Sequence, residues 1–199
     1  MSKQRKVYSK AKIIYGVAYN DSDQPVTCLV DGKRVKCKIY EAWSNMLARC
    51  YSKAYQSGKP TYEGASVCQE WLLFSKFKLW MQAQDWQGKQ LDKDYLVEGN
   101  KIYSPETCIF LPQLVNSFIS STISKRKNLA CGVFLKASTN KFYAKCSDPF
   151  AGKSVNLGTF LSEEDAGSAW KQKKREFAHR LADAQTDKRV SALLRSRYE

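Results

Sequence analysis

The apolar positions of this chain change rhythm several times, and each change marks an element. From Glu41 to Tyr55, Trp43, Met46, Leu47, Cys50 and Tyr51 recur at helical spacing, which predicts an amphipathic helix that the run Ser57–Pro60 breaks. A second helical stripe, Trp71, Phe74, Phe77 or Lys78, and Met81, predicts a helix over 69–84. Its aromatics read as core packing and not as a stacking platform. Upstream, strand-forming residues flank Asp31-Gly32, the favoured pair for a two-residue hairpin turn.

The middle of the chain, Leu91 to Cys108, reads as a short strand at Leu91–Asp94, a Gly99-Asn100 turn and a return at Lys101–Tyr103. A helix is expected next, with Ser104-Pro105-Glu106 at its start and the pattern continuing through residues 109–121. The last third alternates with period two. Three strands are expected, around Ala130–Ala137, Lys141–Ser147 and Ser154–Phe160. In the middle one Phe142, Ala144 and Cys146 face one way, and Lys141, Tyr143, Lys145 and Ser147 the other. A helix follows, capped by Ser162 and Asp165, with Ala166, Ala169, Trp170, Phe177 and Leu181 turned inward. A short final helix from Thr186 places Val190, Leu193 and Leu194 inward. The fold class is therefore α+β.

Charge narrows the function. Against 19 Asp and Glu stand 33 Lys and Arg, a net +14 over 199 residues. Interspersed with aromatics, such an excess fits a polyanionic partner, because each phosphate neutralised releases condensed counterions. No apolar run approaches the ~20 residues that span a bilayer. The start, Met1–Lys10, lacks a signal-peptide core, so a cytoplasmic protein without a membrane partner is expected. The seven cysteines form no C-x-x-C pair and read as free thiols. Cys50, Cys68 and Cys108 lack the short knuckle that structural zinc uses, so zinc is not expected.

Two resemblances add detail. Gly132-Val133, Lys141-Phe142-Tyr143-Ala144, Asp148-Pro149, Gly152-Lys153, Leu157-Gly158-Thr159-Phe160, and Glu163-Glu164 through Ala166 to Trp170 follow one pattern. It resembles the Apetala-two/ethylene-response-factor DNA-binding domain, a three-stranded sheet on one helix, and covers residues 129–184. The likeness implies a double-stranded DNA partner, contacted by Phe134, Lys136, Lys141, Tyr143, Lys145, Ser147, Lys153, Ser154 and Asn156. Plant members carry arginines and tryptophans where this chain has Phe134, Ser147 and Asn156, so no target sequence carries over.

The region 41–123 resembles the HNH nucleases, particularly phage homing endonucleases that append small DNA-binding modules. Their core is a hairpin and a helix gripping one divalent metal. Asp92 stands at the position of the family's Asp, Lys93 replaces the catalytic His, Thr107 and Cys108 replace Asn-Leu, and Asn116 matches the later Asn. An exposed lysine stays protonated at neutral pH, so Lys93 is expected to grip phosphate and not to deprotonate water. Strand alternation would put Asp92 and Asp94 on one side and Lys93 on the other. The lone histidine, His179, reads as a solvated helix residue.

Three readings remain open, the last a protein-binding inhibitor that uses a borrowed fold. In the first the chain is a DNA-binding protein of homing-endonuclease type with a degenerate HNH core, working in a bacterial host's cytoplasm. In the second it is an active endonuclease with Asp92, Asp94 and Asn116 catalytic, and Asp92 holding Mg2+ or Mn2+. Residues 1–40, a basic arm and a hairpin carrying Lys33 and Arg34, would add phosphate contacts. Residues 124–128 would be a linker and 185–199 a closing helix.

Overall fold

The computed structural model describes residues 12–120 and 129–198. The chain is α+β and divides into two compact units, Met1–Phe110 and Leu111–Glu199. The expected basic arm over residues 1–11 and the linker at 124–128 lie outside the described residues.

In the first unit, β1 (Ile13–Ile14) and β2 (Ala18–Tyr19) make a small antiparallel hairpin. β3 (Thr27–Val30) and β4 (Lys33–Lys36) form the expected one. Its turn residues Asp31 and Gly32 have φ of 50° and 76°, the left-handed pair that matches strand twist. α1 (Lys38–Tyr51) buries Trp43, Met46, Leu47 and Cys50, as its stripe requires. Ser52 then caps α2 (Lys53–Gly58), its Oγ accepting the Tyr55 N–H at 3.3 Å.

The second aromatic stripe does not form one helix. Gln69–Leu72 is a 3-10 turn, Leu73 is extended, and α3 runs Phe74–Gln82. The break has a tertiary cause, because the Leu73 backbone bridges Tyr19. Trp71, Phe74, Phe77 and Met81 still reach the core, where the Trp43 indole donates to the Trp71 carbonyl at 2.7 Å.

The stretch read as a hairpin and helix folds differently. β6 covers Lys89–Asp92, and β7 (Ile102–Tyr103) pairs in parallel with β5 (Ser66–Val67) instead of returning beside β6. Pro105–Thr107 make only a turn, in which the Thr107 and Cys108 N–H groups both donate to the Ser104 carbonyl. Ile109–Pro112 is a strand, β8, sheeted with β6, and the division between the units falls within it. Ile109, Phe110 and Leu111 are buried in succession, which an amphipathic helix face does not allow.

In the second unit, α4 (Gln113–Ser120) precedes a sheet of β9 (Val133–Lys136), β10 (Lys141–Ser147) and β11 (Ser154–Phe160). β10 lies between the other two, antiparallel to both. α5 (Glu163–Asp183) backs the sheet and α6 (Lys188–Ser196) packs on α5. Ser162 caps α5 by accepting the Asp165 N–H at 3.0 Å. Val133, Ala144 and Cys146 from the sheet, Ala166, Trp170, Phe177 and Leu181 from α5, and Val190 and Leu194 from α6 are all buried. Gly132 is obligatory. With φ of +73°, a Cβ there would stand 2.0 Å from the Trp170 ring.

Candidate nucleic-acid interface

Burial on one face of the three-stranded sheet leaves the opposite face to carry its polar residues, and the register sets them in rows. Lys136 pairs with Lys141, Phe134 with Tyr143, Tyr143 with Thr159, Lys145 with Asn156, and Ser147 with Ser154. Lys136, Lys141, Lys145, Ser147, Ser154 and Asn156 are exposed, whereas Phe134 and Tyr143 are half-buried. The two rings stack at 5.0 Å with planes 12° apart, and the Lys145 ammonium lies 5.5 Å from the Tyr143 ring. Lys153 is exposed but belongs to the turn before β11, where its carbonyl accepts the Asp148 N–H at 2.8 Å. Alternation therefore placed eight of the nine named residues, and only Lys153 needs reassigning from strand to turn.

It also missed Thr159. The register shifts between Ala144 and Lys145, so Leu157 is an extra residue in β11. Counting by twos from Ser154 and Asn156 reaches Gly158. The bulge turns Thr159 outward instead, opposite Tyr143 and exposed. Gly158, at φ of 116°, was the available signal.

The turn at one end of the face is fixed by Asp148, whose carboxylate accepts the Phe150 and Ala151 N–H groups at 2.8 and 3.1 Å. The Ala151 bond, then the Phe150 bond, hold its carboxyl below the usual carboxylate range. In the first unit, Lys33, Arg34 and Lys36 are all exposed on β4. Strand alternation sets Arg34 and Lys36 on one side of that ribbon and Lys33 on the other.

Lys93 corrects the reading of the middle region. It is 4% exposed, and its ammonium donates to Asp94 Oδ1 at 2.5 Å and to the Asn100 carbonyl at 2.6 Å. Asn100 returns the bond, its Nδ2 donating to the Lys93 carbonyl at 2.8 Å. Because β6 ends at Asp92, strand alternation does not extend to Lys93 and Asp94. Lys93 is thus a buried clamp on the 93–100 loop and offers no phosphate contact.

Asp92 Oδ1 accepts the Asp94 and Tyr95 N–H groups at 2.9 and 2.7 Å, capping that loop from inside. Burial raises its carboxyl above the usual range, although these bonds oppose the rise. Asp94 is occupied by Lys93, so a divalent ion using both carboxylates would compete with an ammonium already in place. Asn116 lies in α4 of the second unit. Thr107 Oγ1 donates to the Ile102 carbonyl at 2.7 Å. Burial pushes the Cys50 and Cys108 thiols up to about 12. Among the described residues no three of His, Cys, Asp and Glu gather as metal ligands.

His179 is not the freely solvated residue expected. It is half-buried, and its Nε2 is buried without a hydrogen-bond partner among the described residues. Lys174 was missed altogether. It continues the inward stripe of α5, a position that periodicity reserves for apolar residues. Among the described residues no helix is long and apolar enough to cross a membrane.

Comparison with known proteins returns no match, whether against family models, curated proteins or solved structures.

Proposed function

We propose that this chain binds double-stranded DNA through the exposed face of the β9–β10–β11 sheet. The observation that carries the reading is the row arrangement on that face. Three exposed lysines, Lys136, Lys141 and Lys145, surround a stacked Phe134–Tyr143 pair, and Ser147, Ser154, Asn156 and Thr159 complete the surface. A sheet of this width can enter a major groove. Its lysines meet phosphates, and the hydroxyl and amide groups lie where base edges would be read. This is the surface that the Apetala-two/ethylene-response-factor resemblance calls for. Lys33, Arg34 and Lys36 on β4 add a second cationic surface.

The HNH resemblance supplies a weaker part of the proposal. The segment that would be its hairpin is split between two sheets, and the residue in the histidine position is a buried lysine. We read the middle region as a scaffold of homing-endonuclease type that does not cut. Fluorescence anisotropy with a labelled duplex at low salt tests the binding, and no binding to any duplex would sink it. Plasmid nicking with Mg2+ or Mn2+ tests the rest. Cleavage lost on Asp92→Ala in a folded protein would establish the endonuclease reading instead.

A further inference from the structure

We infer that the corner of the first unit where α1 ends is a phosphate-binding site centred on Arg49, separate from the sheet and independent of the proposal made for it. Arg49 is half-buried, and its Nε is buried without a hydrogen-bond partner among the described residues. Its Nη1 donates to the Leu91 carbonyl at 3.5 Å and the Tyr103 hydroxyl at 3.4 Å, both at the outer limit of such bonds. The guanidinium lies 5.6 Å from the Tyr62 ring, and among the described residues no carboxylate pairs with it. A desolvated cation without a counter-charge is costly, and an external anion would relieve that cost. Nε itself is closed off from solvent and Tyr55 also bonds the side chain, so an external phosphate would meet the Nη–H groups at the end of the planar guanidinium, whose two-pronged geometry fits two phosphate oxygens.

The surroundings are organised for an anion. Carbonyls at the end of α1 would repel one, but here they are occupied. The Ser52 N–H takes that of Ala48, and the Gln56 side-chain amide donates to those of Arg49 and Cys50 at 3.1 and 2.8 Å. Lys59 lies over the Tyr55 ring at 5.8 Å, and Tyr55 meets Tyr62 edge-on at 5.8 Å. A phosphate at Arg49 would thus have a second cation nearby and half-buried tyrosines beside it. It has two sources, the backbone of a polynucleotide or the 5′-phosphate of a free nucleotide whose base would lie against Tyr55 or Tyr62.

The test is an amide chemical-shift titration of the full chain with inorganic phosphate at constant ionic strength. Saturable shifts confined to residues 49–63 are expected, and Arg49→Lys, which keeps the charge but loses the fork, should weaken them about tenfold. Tyr62→Leu serves as a second variant should Arg49→Lys fail to fold, and should weaken them severalfold. No saturable shift in the wild type, or equal affinity in a folded variant, overturns the site. The double variant Lys141→Ala/Lys145→Ala should respond like the wild type, so failure of the sheet proposal and failure of this one are told apart. A deoxynucleoside 5′-monophosphate binding more tightly than phosphate identifies a nucleotide ligand, and a duplex that displaces phosphate identifies a backbone contact.

Discussion

Lys174→Met removes an ammonium buried in the second unit while keeping a flexible stem of similar size. Lys174 is 2% exposed, donates to the Phe118 carbonyl at 2.7 Å, and lies 3.5 Å from the centre of the Phe118 ring. Burial pushes its ammonium down to about 8, although Cys146 and Cys131 oppose the fall. The unfolded chain holds that proton to about 10.4, so between pH 8 and 10.4 the unfolded state binds more protons than the native one. The contribution of Lys174 to stability must therefore rise across that window, by on the order of 3 kcal/mol at about 1.4 kcal/mol per pKa unit. Below pH 8 both states are protonated and the contribution is flat. The thiols of Cys131 and Cys146, raised by burial, act in the opposite sense, since their native forms keep protons that the unfolded chain loses. They are present in both proteins and largely cancel in the difference. The assay is urea unfolding of wild type and variant at pH 7, 8, 9 and 10. The wild type should gain on the variant by about 2 kcal/mol between pH 7 and 10. A constant difference would mean that Lys174 ionises as an exposed lysine does.

Gly132→Ala should destabilise the second unit by about 2–4 kcal/mol, combining left-handed strain with a collision against Trp170. A urea midpoint within error of the wild type would refute the packing described there. Lys93→Met should cost about 1–3 kcal/mol, because the Asn100 carbonyl loses its donor. It should leave duplex affinity within about twofold, since Lys93 offers no phosphate contact in the structure, and a large loss of binding by a folded variant would restore Lys93 to the interface. His179→Ala should leave duplex binding unchanged in the same anisotropy assay, its ring lying in α5 away from the exposed sheet face; a tenfold loss without unfolding would contradict that placement.

What was legible in the sequence followed from local rules. Period-two alternation gave β10 its two faces because Ala144 and Cys146 are buried between outward-facing neighbours. Asp31-Gly32 gave its turn because both residues readily take the left-handed dihedrals whose twist matches the flanking strands. Misreadings arose where distant backbone decided. Leu73 left its helix to bridge Tyr19, and Ile102–Tyr103 paired with β5, a partner about 35 residues upstream. Thr159 was hidden by one bulged residue, which inverts a two-residue count. Lys93 and Lys174 were hidden because burial of a cation depends on acceptors, Asn100 and Phe118, that no pattern in the sequence brings near. At Arg49 the signal was absence of a counter-charge, which becomes visible only once the neighbours are in place.

The central claim is that the exposed sheet face holds DNA, and the salt dependence of duplex binding tests it most directly. Lys141→Ala combined with Lys145→Ala should weaken binding and lower the slope of log affinity against log salt by about two, close to one unit for each lost phosphate contact. Both side chains are exposed, so the fold should tolerate the change. A slope equal to that of the wild type would place the DNA elsewhere and contradict the account.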